Sequence, residues 1–186
     1  VVVKDGSKIL VNGTDYTLSY SNNVNVGTAT VTITGKGNYT GTKSVTFTIV
    51  SKSISGATVS SIANQTYTGT ELTPSVVVKD GSKTLVNGTD YTLSYSNNVI
   101  VGTATVTITG KGNYCGTKSV TYTIVAKNIN EATVSSISNQ TYTGSAITPT
   151  VTVKDGSATL VNGTDYTVSY SNNVNVGTVT VTITGK

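Results

Sequence analysis

Apolar and threonine residues alternate along most of the chain, most clearly in residues 102–109 and 117–125. A period of two is typical of a β-strand that turns one face to a core and the other to water. The inward residues predicted by this alternation are Ala104, Val106, Ile108, Val120, Tyr122 and Ile124. Tyr91, Leu93 and Tyr95 form a further inward row. No stretch has the spacing of an amphipathic helix, so the pattern predicts an all-β fold.

Turn signals divide the alternating segments. Asp80-Gly81 and Asn87-Gly88 are typical of tight hairpin turns, because glycine adopts positive φ without steric cost. They bound a short predicted strand around residues 83–86. Since the two turns are successive, we expect Asp80 and Asp90 to lie at opposite ends of the fold. Segments near residues 58–62 and 65–68 bring the total to about seven strands per unit.

The sequence repeats itself with a period of 75 residues, so that Lys4, Lys79 and Lys154 each precede Asp-Gly-Ser. Residues 1–50 and 76–125 differ at four positions, namely Ile9/Thr84, Asn25/Ile100, Thr40/Cys115 and Phe47/Tyr122. We expect three repeats: a partial one at 1–50, a complete one at 51–125, and a partial one at 126–186 that lacks its last strand.

Comparison of the copies resolves one ambiguous strand and predicts the architecture. The third copy reads Val151-Thr152-Val153, which places the middle residue outside, so Val76 and Val78 face the core. Seven short strands with frequent turns favour tandem immunoglobulin-like β-sandwich repeats of about 75 residues. The tyrosine hydroxyls need hydrogen-bond partners or a wet edge. Residues 124–129 lack Gly and Pro, which predicts a short, stiff connection between repeats.

Several motifs of the repeat resemble a known family. They are Asn-Gln-Thr-Tyr-Thr-Gly at 64–69, Gly-Thr-Asp-Tyr-Thr at 88–92 and Gly-Lys-Gly-Asn-Tyr at 110–114. With Tyr95-Ser96-Asn97-Asn98 and Val78-Lys79-Asp80-Gly81, they are similar to the tandem Ig-like repeats of bacterial cell-surface and secreted proteins, mainly Gram-positive ones. The resemblance covers essentially the whole chain. It implies an extracellular location at a bacterial surface or in secretions, and a role as stalk or spacer modules.

The composition removes most catalytic chemistry. The chain has no His, Met, Trp or Arg, and its acids are six Asp and two Glu. A hydrolase triad needs an imidazole or a substitute base, and a paired-carboxylate site needs two acids together. One Asp per loop is poor provision for calcium. The expected roles are a turn for Asp80 and a local backbone bond for Asp90. We expect no enzyme, no cofactor and no metal site.

The charge pattern argues against two classes of partner. The net charge is +4, but the twelve lysines are scattered singly and no arginine is present. Nucleic-acid binding needs clustered cations and favours the arginine fork, so we expect none. No apolar run is long enough for a membrane helix, and we expect no membrane insertion in this segment.

Three residues are candidates for covalent chemistry. Lys118 shares strand parity with the inward row that ends at Ile124, and Lys43 does so in the first repeat. Each could form an isopeptide cross-link with an asparagine beside an acid, or could bury its stem and extend its amine to water. Cys115 cannot form an internal disulfide. It is either a small residue at a threonine position or an exposed thiol that links two chains.

Three functions remain open on this evidence. The first is a non-catalytic structural spacer built from stacked repeats. The second is a self-assembling fibre or matrix subunit, because both ends of the sequence fall inside a repeat and neighbouring chains could supply strands. The third is a carbohydrate- or host-binding adhesin module, whose contact surface would be the threonine rows at 103–109 and 121–123. The expected partners are therefore neighbouring repeats or chains, with a glycan or host surface as the alternative.

Overall fold

The computed structural model describes all residues from 1 to 186 and has an all-β fold. The chain forms two compact units, residues 1–125 and residues 126–186. The first unit contains the first two repeats, and the second unit is the third repeat. Helical structure is limited to two one-turn 3₁₀ helices, at Ile54–Gly56 and Ile129–Glu131.

The first repeat contains two antiparallel sheets. Its strands are β1 (Lys4–Asp5), β2 (Lys8–Ile9), β3 (Tyr16–Ser21), β4 (Gly27–Gly35) and β5 (Thr42–Ile49). β1 pairs with β2, and β4 lies between β3 and β5. The buried residues are Leu10, Tyr16, Ala29 and Val31. The outer edge of β5 has no neighbouring strand, and Phe47 on this strand remains 44% exposed.

The second repeat is the most complete. Its strands are β6 (Lys52–Ser53), β7 (Thr58–Val59), β8 (Gln65–Thr66), β9 (Val78–Asp80), β10 (Lys83–Thr84), β11 (Tyr91–Ser96), β12 (Gly102–Gly110), β13 (Tyr114–Cys115) and β14 (Thr117–Val125). The strand order is β11-β12-β14-β8 in one sheet and β10-β9-β7 in the other, and β6 pairs separately with β13. The seven strands of the two larger sheets agree with the number predicted.

The core lies between these two sheets, as expected for a sandwich. One cluster joins Val78 of β9 to Ile108 of β12, and a second joins Val106 to Ile124 of β14. The inward rows predicted from alternation are confirmed, since Ala104, Val106, Ile108 and Ile124 are fully buried and Tyr122 is 3% exposed. Val76 and Val78 are buried while Val77 is exposed, as the third copy indicated.

One predicted hairpin is wrong. The turn at Asp80-Gly81 joins β9 to β10, with Asp80 opposite Lys83, as predicted. Asn87-Gly88 does not join a second pair, because β10 pairs only with β9 while β11 pairs with β12. The chain crosses there from one sheet to the other. The Gly88 amide bonds back to the Tyr91 carbonyl, which closes a loop instead of a hairpin.

The third repeat has fewer paired strands. Its strands are β15 (Thr133–Val134), β16 (Val153–Asp155), β17 (Ala158–Thr159), β18 (Tyr166–Ser171) and β19 (Thr180–Gly185). β16 lies between β15 and β17, and β18 pairs with β19. The core cluster is Val151, Val153 and Tyr166. Residues 140–141, equivalent to β8, are not paired in a strand.

Tyrosine hydroxyls find main-chain partners at the sheet edges, as predicted. The Tyr95 hydroxyl donates to the Pro74 carbonyl at 2.8 Å, and Tyr170 donates to Pro149 at 2.5 Å. The Tyr122 hydroxyl donates to the Leu72 carbonyl at 2.5 Å. These bonds attach the loops that contain Leu72, Pro74 and Pro149 to the sheets, and they satisfy the polar atom of each buried or half-buried ring.

Candidate functional site: the junction between the first two repeats

The recurring acids and lysines of each repeat have structural partners. In every copy one Asp accepts a hydrogen bond from a nearby main-chain amide, and one Lys donates to a loop carbonyl. The aspartate bonds are Val11 to Asp15 at 2.8 Å, Val86 to Asp90 at 3.0 Å and Val161 to Asp165 at 2.7 Å. The lysine bonds are Lys36 to Gly13, Lys111 to Gly88 and Lys186 to Gly163. Asp90 thus makes the local backbone bond expected of it.

Lys118 lies at the inward end of β14, opposite Ile108. Its amine donates to the main-chain carbonyls of Ser55 at 3.2 Å and Ala57 at 2.6 Å. These are the closing carbonyls around the 3₁₀ turn, so the geometry assigns Lys118 a role in holding that turn. Lys43, its equivalent on β5, is exposed and lies opposite Ile33. A cross-link at either lysine stays a prediction.

Cys115 lies at the junction between repeats. Its thiol is partly buried and donates to the Ser51 carbonyl at 3.8 Å. The equivalent Thr40 in the first repeat is exposed. A link between two chains through this thiol stays a prediction, and the structure supplies a local partner for it.

The connection between the repeats is paired to the second repeat. β6 runs parallel to β13, with Lys52 opposite Tyr114 and Ser53 opposite Cys115. The Lys52 amide donates to the Asn113 carbonyl at 2.9 Å. The connection at residues 51–53 is therefore a strand with its main chain bonded. The stiff link predicted for residues 124–129 belongs to the next junction and stays a prediction.

An ion pair holds the side chain of the same connection. The Lys52 amine bonds both carboxylate oxygens of Asp80 at 2.7 Å, and the Tyr114 hydroxyl donates to Asp80 at 3.2 Å. The hydrogen bond to Asp80 raises the pKa of Lys52 above its usual value, and the same bond holds the pKa of Asp80 below its own. Exposed ion pairs contribute little alone, so this pair acts with the strand pairing beside it.

Asp80 and Asp90 do not lie at opposite ends of the fold, and that expectation is wrong. Lys83 lies between the two aspartates. Its amine is 3.6 Å from Asp90 and 5.2 Å from the centroid of the Tyr114 ring. The hydroxyl of Tyr114 in turn donates to Asp80. The reason is the length of β10, which is only two residues. After so short a strand, the next loop returns to the same end.

The third repeat repeats the ion pair. The Lys127 amine lies 2.6 Å from Asp155, and this hydrogen bond raises the pKa of Lys127. Lys127 and Asp155 are the equivalents of Lys52 and Asp80, 75 residues further along. The residue after each lysine, Ser53 or Asn128, caps a 3₁₀ turn with its side chain. The attachment of the connection to the repeat that follows it is therefore a property of the repeat sequence.

The junction also has a side-chain bridge that sequence reasoning did not find. The side chain of Asn113, in the turn before β13, bonds Val26 and Asn25 in the loop between β3 and β4 of the first repeat. No motif signals this pair, because the two residues are 88 positions apart and the repeat copies show only that Asn25 is replaced by Ile100.

The contacts at this junction are strand pairing, one ion pair and side-chain hydrogen bonds, and all of them hold one repeat to the next. No group of three or more acidic, histidine or cysteine residues in the chain could hold a metal ion. No helix has the length and apolar character needed to cross a membrane. Among known proteins, neither a family model, a curated protein nor a solved structure matches this chain.

Proposed function

We propose that this chain is a non-catalytic structural spacer, formed by tandem immunoglobulin-like repeats of an extracellular bacterial surface protein or adhesin. The extracellular and bacterial setting rests on the resemblance of the repeat motifs. The spacer role rests on one observation: the connection at residues 51–53 is bonded through its main chain to β13 and through Lys52 to Asp80. A flexible linker lets neighbouring modules turn freely, whereas a paired one fixes their spacing.

The test is whether the first two repeats tumble as one body. Residual dipolar couplings of the full chain, measured by NMR, give an alignment tensor for each repeat. We expect one common tensor for the amides of β4 and β12. Two different tensors would contradict the spacer, because the repeats would then reorient independently.

A variant with a matched control tests the role of the ion pair. Lys52→Gln removes the ion pair with Asp80, and the alignment tensors of the first two repeats should then differ. Lys79→Gln removes an exposed lysine of β9 that forms no ion pair, and it should leave the tensor unchanged. Equal behaviour of the two variants would argue against a role for the ion pair.

A further inference from the structure

Asn113 is bonded to two different parts of the first unit at once. Its carbonyl accepts from the amide of Lys52 at 2.9 Å. Its side-chain oxygen accepts from the amide of Val26 at 2.8 Å, and its side-chain nitrogen donates to the Asn25 side-chain oxygen at 2.9 Å. A main-chain amide can only donate, so the orientation of the Asn113 amide group follows from its bond to Val26.

The first repeat contains a natural control for this arrangement. Asn38 occupies the same position in an identical Gly-Lys-Gly-Asn-Tyr turn. Its side chain is exposed and makes no hydrogen bond, whereas Asn113 is partly buried. The turn alone therefore does not hold the side chain. What holds Asn113 is the loop of the preceding repeat.

We propose that Asn113 and the loop residues Asn25 and Val26 form a clasp that sets the rotation of the second repeat on the first. The paired connection at residues 51–53 is one attachment between the repeats. A single attachment leaves rotation about the chain direction free, and a second attachment away from it removes that freedom. The inference rests on the proposed spacer function and names the residues that give it a fixed geometry.

The residue at position 25 of the repeat decides whether the full clasp can form. The three copies have Asn25, Ile100 and Asn175. Isoleucine has no acceptor, so a loop with Ile at this position can offer only the main-chain amide. Ile100, which is 67% exposed, cannot supply the side-chain oxygen that Asn25 offers to Asn113.

Two substitutions and two controls test the clasp in the full chain. Asn113→Ala removes both side-chain bonds, and Asn25→Ile removes one by introducing the residue that the second repeat already has. Asn38→Ala and Asn175→Ile are the same changes at equivalent positions whose side chains make no bond. Retained amide dispersion of β4 and β12 in the NMR spectrum shows that each variant is folded.

Two measurements report the outcome. Asn113→Ala should speed solvent exchange of the Val26 amide about fivefold, the factor for losing one net hydrogen bond. It should also separate the alignment tensors of the first two repeats, with a smaller separation for Asn25→Ile. Both controls should leave exchange and tensors as they are in the unaltered chain.

The clasp and the spacer fail in different ways. A common tensor and unchanged Val26 exchange in Asn113→Ala would overturn the clasp alone, since the paired connection would then suffice. Different tensors for the two repeats in the unaltered chain would overturn the spacer function, whatever the variants do. An equal effect of Asn38→Ala and Asn113→Ala would also overturn the clasp, because the effect would then come from the turn.

Discussion

The repeats place identical residues in different surroundings, so the role of a residue can be separated from its identity. Gly35, Gly110 and Gly185 end equivalent strands. A Cβ at Gly110 would lie 2.7 Å from the Cys115 nitrogen, and one at Gly35 would lie 2.8 Å from the Thr40 nitrogen. At Gly185 the nearest atom would be the Ile129 Cβ at 3.5 Å, which is an ordinary van der Waals contact. The first two glycines are therefore required by close approach of the main chain.

The same glycine-to-alanine substitution should therefore destabilise the second repeat and leave the stability of the third nearly unchanged. Gly110→Ala should lower the free energy of unfolding of the second repeat by about 1–3 kcal/mol, because main-chain atoms cannot move aside without disturbing β13. Gly185→Ala should change that of the third repeat by less than about 0.5 kcal/mol. Hydrogen exchange of the β12 and β19 amides measures both. Equal losses would show that the close approach does not matter.

The ion pair of Lys52 and Asp80 predicts a pH window for the junction. The pKa of Asp80 lies below 3.8, so its contribution is present above pH 3.8 and is lost as pH falls through the folded value. The pKa of Lys52 lies above 10.5, so its contribution is present below pH 10.5 and is lost as pH rises through the folded value. NMR titration of the Asp80 carboxyl carbon should show a higher midpoint in Lys52→Gln. The midpoint should be unchanged in Lys79→Gln, and a shift there would contradict the assignment.

At the level of strands, alternation predicted which residues point inward because the middle repeat buries one face of each strand. It succeeded for β12 and β14, where long runs of period two leave one register. The hairpin predicted from the turn residues Asn87-Gly88 was wrong. Turn residues indicate a local bend and carry no information about which sheet the next strand joins. The sequence also could not predict the position of Asp90, which depends on β10 being two residues long.

β5 and β14 differ at Phe47 and Tyr122, which gives a reciprocal test of one hydroxyl. Tyr122→Phe should lower the free energy of unfolding of the second repeat by about 1 kcal/mol, since it removes the bond to the Leu72 carbonyl. The loss should stay modest because Leu72 also accepts a bond from Asn98 at 3.3 Å. Phe47→Tyr should be nearly neutral, as that ring is 44% exposed. Denaturant unfolding monitored by hydrogen exchange distinguishes the two repeats, and a larger loss for Phe47→Tyr would contradict this account.

For the whole molecule, the sequence predicted the all-β class and the repeat period, since both follow from patterns visible in every copy. It could not predict the clasp at Asn113, because the pairing joins residues 88 positions apart and depends on how two repeats meet. The Lys52 to Asp80 pair was visible only as a recurrence in Lys127 and Asp155. Recurrence alone did not show an ion pair, because a lysine and an aspartate that recur in each repeat can also both be solvated.

The parallel pairing of β8 with β14 has a consequence for a chain under tension. These strands are the first and last of the larger sheet, with Gln65 opposite Ile124 and Thr66 opposite Val125. A pull that passes β6 and β7 and reaches β8 and the end of β14 moves these parallel strands past each other along their length. Their bonds must then break together in shear, whereas an antiparallel hairpin pulled at its open end unzips one bond at a time.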